Sequence, residues 1–216
     1  MGNALTELGK LKEAIEAFNK ALSIKPDNAQ AYNNMGIALE AQGKLDDAIA
    51  AYNQALTHKP DFAEAYCNMG VALQNCGKFE EAIKAYKKAL IIKPDFAEVC
   101  WNLYGTADDI RGAKKWIKNC LKSNPGHIKA ELTLIALDYY EGNKGDFDAL
   151  INSSLNDHPF TRSFNWAFNL PDLPPLHFHR WALFDHMTSL SKKDRPFYEF
   201  GVWRGQSFRY LIKTFK

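Results

Sequence analysis

Two glycines near the end of the chain have the spacing of a cofactor-binding turn. The stretch YEFGVWRGQSFRYLIKTFK, residues 198–216, is typical of a short apolar strand, a turn that contains Gly201 and Gly205, and the start of a helix. Free backbone amides at a helix N-terminus bind anionic groups such as those of nucleotides. This spacing of glycines is a weak motif by itself, so its meaning depends on the elements around it.

Histidine and acidic side chains form no convincing catalytic or metal-binding group. His177 and His179 are two positions apart, and this spacing turns their side chains away from each other on a helix. Asp185 and His186 could include a general base, but no nucleophile accompanies them. We therefore predict no catalytic residue and no metal ligand.

Composition indicates a globular protein without a dominant charge. The chain has 216 residues, of which 46% are hydrophobic and 24% are charged, and its net charge is +2. This charge gives no reason to expect a nucleic-acid partner, and no apolar run approaches the ~18 residues of a membrane span. Four cysteines without a C-x-x-C pair favour reduced thiols, and the N-terminus lacks the pattern of a secretory signal. We expect a cytoplasmic protein.

Three stretches of the chain repeat with one fixed period. They read MGNALTELGKLKEAIEAFNKALSIKPDN, MGIALEAQGKLDDAIAAYNQALTHKPDF and MGVALQNCGKFEEAIKAYKKALIIKPDF. Glycine, alanine and proline recur with this period at Gly2, Gly36 and Gly70, at Gly9, Gly43 and Gly77, at Ala14, Ala48 and Ala82, and at Pro26, Pro60 and Pro94. A fixed period of this length, the distance from Pro26 to Pro60, is typical of a solenoid protein.

Each repeat predicts two antiparallel helices, A and B, that pack closely. Apolar residues recur every three or four positions along helix B, while Gly36 and Ala48 leave room for the two helices to approach. Gly43 allows the turn between the helices, and Pro60 ends the unit. One helix pair cannot cover its own apolar face, so the units must stack.

The period and these residue types resemble the tetratricopeptide repeat. The resemblance implies an all-α fold, a right-handed superhelix or α-solenoid. Two degenerate repeats extend this solenoid. The fourth repeat ends at Pro125, which is less than one full period after Pro94, and the fifth ends at Pro159. Tyr104 and Ile135 replace the small helix A residue, and Phe147 replaces the alanine. The predicted solenoid covers residues 1–159.

The first unit lacks most of its helix A, because Gly2 aligns with Gly36. We expect that an upstream repeat belongs there. The alternative is that another molecule covers the exposed surface. This alternative makes self-association through this terminal repeat plausible.

Asparagine stands two positions before the small helix A residue in three units, at Asn34, Asn68 and Asn102. Side-chain amides both donate and accept hydrogen bonds, so a ladder of them suits the backbone of an extended peptide. The stretch AYNNMGIAL is also similar to the repeats of the O-linked N-acetylglucosamine transferase, in which such a ladder holds extended polypeptide. We predict that these three residues bind peptide, although a solvent-facing helix position also tolerates asparagine.

The tail is predicted to differ from the repeats. Residues 160–176 are rich in proline and aromatic residues and indicate a linker, and residues 177–191 have helical spacing. The stretch FYEFGVWRGQSFRYL resembles the first motif of class I S-adenosylmethionine-dependent methyltransferases, especially the macrocin O-methyltransferase-like group. The resemblance implies that the cofactor contacts are Glu199, Gly201, Gly205 and Ser207, although Trp203 stands at the middle glycine.

Residues 177–216 therefore indicate a helix followed by the truncated strand-turn-helix that begins an α/β methyltransferase fold. One strand makes no sheet and no cofactor pocket. For the chain itself we expect a non-catalytic scaffold that binds an extended peptide or partner protein, without a cofactor. The alternative is the N-terminal part of a methyltransferase, inactive as given. A glycosyltransferase parent is a weaker third possibility, since only the repeats suggest it.

The topology of the tail leads to a test. Because one strand and one helix cannot enclose S-adenosylmethionine, calorimetric titration of the whole chain with this cofactor should show no heat of binding. Saturable binding that Gly201→Val abolishes would contradict this expectation.

Overall fold

Every regular element in the described part of the chain is an α-helix. The computed structural model describes residues 2–107 and 109–168. The helices are α1 (Gly2–Glu7), α2 (Leu11–Ile24), α3 (Ala29–Ala41), α4 (Leu45–His58), α5 (Ala63–Asn75), α6 (Phe79–Ile92), α7 (Ala97–Tyr104), α8 (Ile110–Ser123), α9 (Ile128–Tyr140), α10 (Gly145–Ile151) and α11 (Pro159–Phe168). They fall into two compact units, the first ending at Leu103 and the second beginning at Tyr104. The all-α helical-repeat fold is confirmed.

Each regular repeat turns from helix A to helix B through a glycine with positive φ. At the end of α3, Gly43 has φ +78°, and Lys44 N–H donates to the Leu39 carbonyl at 3.0 Å while Gly43 N–H donates to Glu40 at 2.8 Å. This pattern is a Schellman motif, which pairs carbonyls that the helix end leaves free. Gly77 makes the same turn, and so does Gly142 in the degenerate fifth repeat.

In two repeats a glycine of helix A lies directly against a tyrosine ring of helix B. A Cβ atom added to Gly36 would lie 2.5 Å from the ring of Tyr52, and one added to Gly70 would lie 2.4 Å from the ring of Tyr86. Both tyrosines are fully buried, and the Tyr86 hydroxyl donates to Gln74 Oε1 at 3.0 Å. The small residue predicted in helix A is therefore required by a large residue in helix B.

Aliphatic side chains replace this glycine–tyrosine pair in the fifth repeat. Ile135 and Ile151 occupy the corresponding positions and pack against a core of Leu132, Phe147 and Leu150. The fifth repeat therefore forms the paired helices α9 and α10 although it lacks the characteristic residues of the regular repeats.

An ion-pair cluster joins α8 to α9. The Lys114 ammonium donates to the carboxylates of Asp138 and Glu141. Burial acts to lower the pKa of Lys114, but its hydrogen bonds to the two carboxylates outweigh this effect and leave the pKa above its ordinary value. The neighbouring cations Lys115 and Lys118 are exposed.

The start of the predicted linker is helical. Residues 160–168 belong to α11, and Phe160 and Phe164 pack against the core of the second unit. Proline at the first position of a helix is favourable because its missing N–H has no helical partner there, so Pro159 begins this helix. The remainder of the predicted linker, the predicted helix and the predicted strand-turn-helix lie outside the described residues.

None of the helices that the structure describes has the length and apolar character needed to cross a membrane.

The contact between Gly70 and Tyr86 predicts the effect of one methyl group. Gly70→Ala should lower the free energy of unfolding by about 1–3 kcal/mol, because the new Cβ would overlap the buried ring. Urea unfolding followed by circular dichroism measures this change.

Gly145→Ala is the matched control, since nothing lies within 4 Å of an added Cβ at that helical position. We expect this variant to be neutral or slightly more stable. Equal stability losses in the two variants would contradict the role assigned to the Gly70–Tyr86 contact.

Candidate peptide-binding groove

A groove of about 550 Å³ runs along successive A helices of the first unit. It involves α3, α5 and α7 and the turns that precede them. The lining residues are Gln30, Asn33, Ile37, Lys59, Phe62, Glu64, Asn68, Phe96 and Glu98. Amide, aromatic, aliphatic and charged side chains therefore face one surface.

Asn68, one of the three predicted site residues, lines this groove. Its Nδ2 donates to Oδ1 of Asn33 at 3.0 Å, which links α5 to α3. No hydrogen bond to Asn68 Oδ1 is formed within the described residues. This oxygen can therefore accept a hydrogen bond from a ligand.

Asn34, the second predicted site residue, does not line this groove, and its side chain is already engaged. Its Oδ1 accepts from Gln30 Nε2 at 2.9 Å and from Asn33 Nδ2 at 3.2 Å, and its Nδ2 donates to Asn3 Oδ1 at 2.8 Å. Asn34 and Asn68 are thus joined through Asn33 in one network, as neighbours on a common surface.

Asn102 does not join this network. Its Nδ2 atom is buried and has no hydrogen-bond partner. The reason lies one repeat earlier: Cys67 occupies the position that Asn33 occupies beside Asn68, and a thiol is a weak acceptor. The predicted ladder therefore consists of two linked asparagines and a third with an unpaired amide nitrogen.

The central residue of the network, Asn33, was not predicted. It is only 3% exposed, and both ends of its amide are used. The period of the repeat gives no signal for it, because Cys67 and Trp101 stand at the equivalent positions. Only the asparagine pair Asn33–Asn34 could have drawn attention to it.

Charged and aromatic groups form the rim of the groove. The ammonium of Lys59 lies 4.8 Å from the ring centroid of Phe62, and that of Lys93 lies 4.7 Å from the ring centroid of Phe96. Lys93 also approaches Glu64 at 3.9 Å. These contacts orient the rings beside the groove.

The thiol beneath this face is not a nucleophile. Cys67 is buried, and burial together with the charges of Glu98, Glu64 and Glu40 raises the pKa of its thiol to about 12. A thiol with this pKa stays protonated at neutral pH, so it cannot act as a thiolate.

Glu40 anchors the far end of the same helix face. Its Oε2 accepts from the Tyr52 hydroxyl at 3.1 Å, and its Oε1 accepts from Asn75 Nδ2 at 3.2 Å. Burial raises the pKa of Tyr52, with further contributions from Glu40 and Cys67, so its hydroxyl remains a donor. This cluster ties α3 to α4 and α5.

Within residues 2–107 and 109–168, no group of three or more histidine, cysteine, aspartate or glutamate side chains is placed to hold a metal ion. The residues predicted to contact S-adenosylmethionine, Glu199, Gly201, Gly205 and Ser207, lie outside the described residues.

Comparison with protein families agrees with the helix pairs and their turns. A family model described as TPR repeat matches residues 2–43 and 38–75, and one described as tetratricopeptide repeat matches residues 63–96. Residues 2–96 are thus similar to tetratricopeptide repeats. These matched residues include all of α1–α6. A comparison with curated proteins finds no match for the chain.

Solved structures share the fold of these helical repeats. The crystal structure of MamA has a TM-score of 0.58 and 20% identity, and the match covers 77% of this chain and 93% of MamA. The crystal structure of YrrB, described as a TPR protein with an unusual peptide-binding site, has a TM-score of 0.59 and 17% identity, with 76% and 88% covered. At these identities the likeness concerns the fold.

The buried position of Asn33 generates a stability prediction. Asn33→Ala should lower the free energy of unfolding by about 1–2 kcal/mol, because Asn68 and Asn34 each lose a hydrogen-bond partner. Chemical denaturation of the whole chain measures this loss.

Asn53→Ala provides the matched comparison, since Asn53 is an exposed helical asparagine of α4. We expect its stability to remain within about 0.5 kcal/mol of the unchanged chain. The proposed network would be rejected if Asn33→Ala unfolded at the same denaturant concentration as Asn53→Ala.

Proposed function

We propose that the chain is a protein-interaction scaffold that binds an extended peptide in the groove of its first unit. The observation that carries this proposal is the orientation of Asn68. Its Nδ2 is held by Asn33 at 3.0 Å, whereas its Oδ1 accepts no hydrogen bond from the described residues. The amide is thus fixed in position with an acceptor available beside the groove.

An extended peptide matches this acceptor chemically. Its backbone N–H groups lack the internal partners that a helix would supply, so each needs an acceptor when it leaves water. Because Asn33 already orients the Asn68 amide, binding does not have to immobilise that side chain. The same contact reads the peptide backbone independently of the peptide's sequence.

The side chains around Asn68 would select the peptide. Ile37 is 39% exposed and Phe96 lines the same groove, which favours an apolar side chain on the ligand. The carboxylates of Glu64 and Glu98 lie on this surface and favour a lysine or arginine nearby. We infer a preference for extended peptides that combine an apolar with a basic residue.

One solved structure and one sequence resemblance support this use of the groove. YrrB shares the fold and is described as having a peptide-binding site. The resemblance of AYNNMGIAL to the repeats of the O-linked N-acetylglucosamine transferase implies that asparagines at these positions hold extended polypeptide.

The methyltransferase alternative concerns residues outside the described part of the chain and stays a prediction from the sequence. The same holds for a cytoplasmic location and for self-association through the first repeat.

Random-sequence peptides displayed on phage and selected on the chain would supply a ligand for the binding test. With a selected peptide carrying a fluorescent label, anisotropy should show that Asn34→Ala combined with Asn68→Ala weakens binding about tenfold, roughly one lost hydrogen bond to the ligand. Most of this loss should come from Asn68→Ala, because the Asn34 amide is already paired.

Asn53→Ala serves as the control and should bind as the unchanged chain does. Thermal unfolding of each variant separates lost binding from lost folding. A folded double variant with undiminished affinity for the selected peptide would remove the asparagines from the proposed site.

A further inference from the structure

Four exposed cations follow one side of α8. This row, the basic stripe, consists of Arg111, Lys115, Lys118 and Lys122. Residues three or four apart lie on the same side of a helix, so the four side chains form a single row about 16 Å long, at ~1.5 Å per residue. By the same geometry the opposite side of α8 carries its buried residues, Ala113, Ile117 and Cys120.

The charge of the basic stripe is not neutralised within the described residues, where no ion pair involves any of its four members. Helix α8 itself contains no aspartate or glutamate. Asp109, just before α8, caps the helix by accepting from Gly112 N–H at 2.6 Å. The carboxylates that α9 supplies, from Asp138 and Glu141, hydrogen-bond to Lys114, which lies outside the stripe.

The internal repetition of the chain shows why this side of α8 is exposed. Helices α4, α6 and α8 all have 14 residues, so their positions can be compared one by one. The positions equivalent to the stripe are Glu80, Lys84, Lys87 and Ile91 in α6, and Asp46, Ala50, Asn53 and Thr57 in α4. All of them are exposed, so the packing of the repeats leaves this side of helix B open.

The concentration of charge, by contrast, is a property of α8 and not of the repeat. At the four equivalent positions the formal charge is −1 in α4 and +1 in α6, but it is +4 in α8. Pairing of the helices therefore does not require cations there. Like charges three or four residues apart destabilise a helix, so the stripe has a cost in stability that a role in binding explains.

We propose that the basic stripe binds an acidic segment of a partner protein, a run of aspartate or glutamate residues in extended conformation. In an extended chain every second side chain lies on the same side, about 6.7 Å apart. Successive cations of the stripe are about 6 Å or 4.5 Å apart along the helix axis. The flexible stems of the lysines accommodate this difference, so one acidic segment pairs with all four cations.

Nucleic acid and membranes fit the basic stripe less well. Three of its four cations are lysines, whereas arginine, with its planar fork of donors, is the residue best suited to nucleic acid. The stripe also contains no aromatic residue on which a base could stack. Because Ala113, Ile117 and Cys120 are buried, the apolar side of α8 is not free to insert into a membrane.

A labelled acidic peptide is the probe for this surface. It alternates glutamate with serine over about twelve residues, longer than the stripe when extended, and carries fluorescein. We expect fluorescence anisotropy to show saturable binding to the whole chain at about 20 mM salt. Binding should weaken at least tenfold at about 300 mM salt, because salt screens exposed charges. The matched peptide with glutamine in place of glutamate should not bind.

Two double variants with the same change in net charge test the location. Lys115→Glu with Lys118→Glu places two carboxylates in the stripe and should weaken binding at least tenfold at low salt. Lys84→Glu with Lys87→Glu makes the same changes at the equivalent positions of α6 and should leave the affinity within about twofold, because these charges lie outside the stripe.

Circular dichroism of each variant separates lost binding from lost folding. If the variant of α8 does not fold, Lys115→Gln with Lys118→Gln replaces it. These substitutions remove the two cations without adding carboxylates, and they should weaken binding about fivefold through the loss of two exposed ion pairs.

The proposal is overturned if the glutamate peptide does not bind the whole chain, or if the variants of α6 and α8 weaken its binding equally. It is also overturned if a single-stranded oligonucleotide of equal charge binds more tightly than the peptide and the variant of α8 abolishes that binding. The basic stripe would then belong to a nucleic-acid site.

Discussion

The close contact between a glycine of one helix and a tyrosine ring of the next determines the rest of the first unit. At Gly36 and Gly70 the backbone lies so near the ring that no side chain could be added without displacement. This contact fixes how far and in which register α3 lies on α4, and α5 on α6. It therefore also fixes which residues of helix A face away from helix B, among them Asn34 and Asn68.

The groove follows from this register and from one residue that breaks the repeat. Asn33 is buried, accepts from Asn68 and donates to Asn34, so a buried partner holds these two half-buried amides. One repeat later Cys67 provides no comparable acceptor, and the Nδ2 atom of Asn102 remains unpaired. The two linked asparagines therefore lie on α3 and α5, although the asparagine pattern extends to α7.

The sequence predicted the helices and turns well because their causes recur in every repeat. Gly43 and Gly77 adopt the positive φ that the turn requires, and even the degenerate fifth repeat forms its helix pair. What could not be predicted depends on contacts between repeats. Asn33 has no periodic counterpart. Ile135 and Ile151 stand at the positions of the glycine and the tyrosine and pack against one shared core, and the helix that begins at Pro159 is stabilised by packing of Phe160 and Phe164.

In the proposed complex an extended peptide lies along the A helices and hydrogen-bonds to the Asn68 amide. Nuclear magnetic resonance of the ¹⁵N-labelled chain, with a selected peptide added, observes this amide directly. We expect the Asn68 side-chain NH₂ signals to shift together with backbone signals of α3 and α5. Shifts confined to the exposed residues of helix B, such as Glu80 and Lys84 of α6, with unchanged Asn68 signals, would rule out this complex.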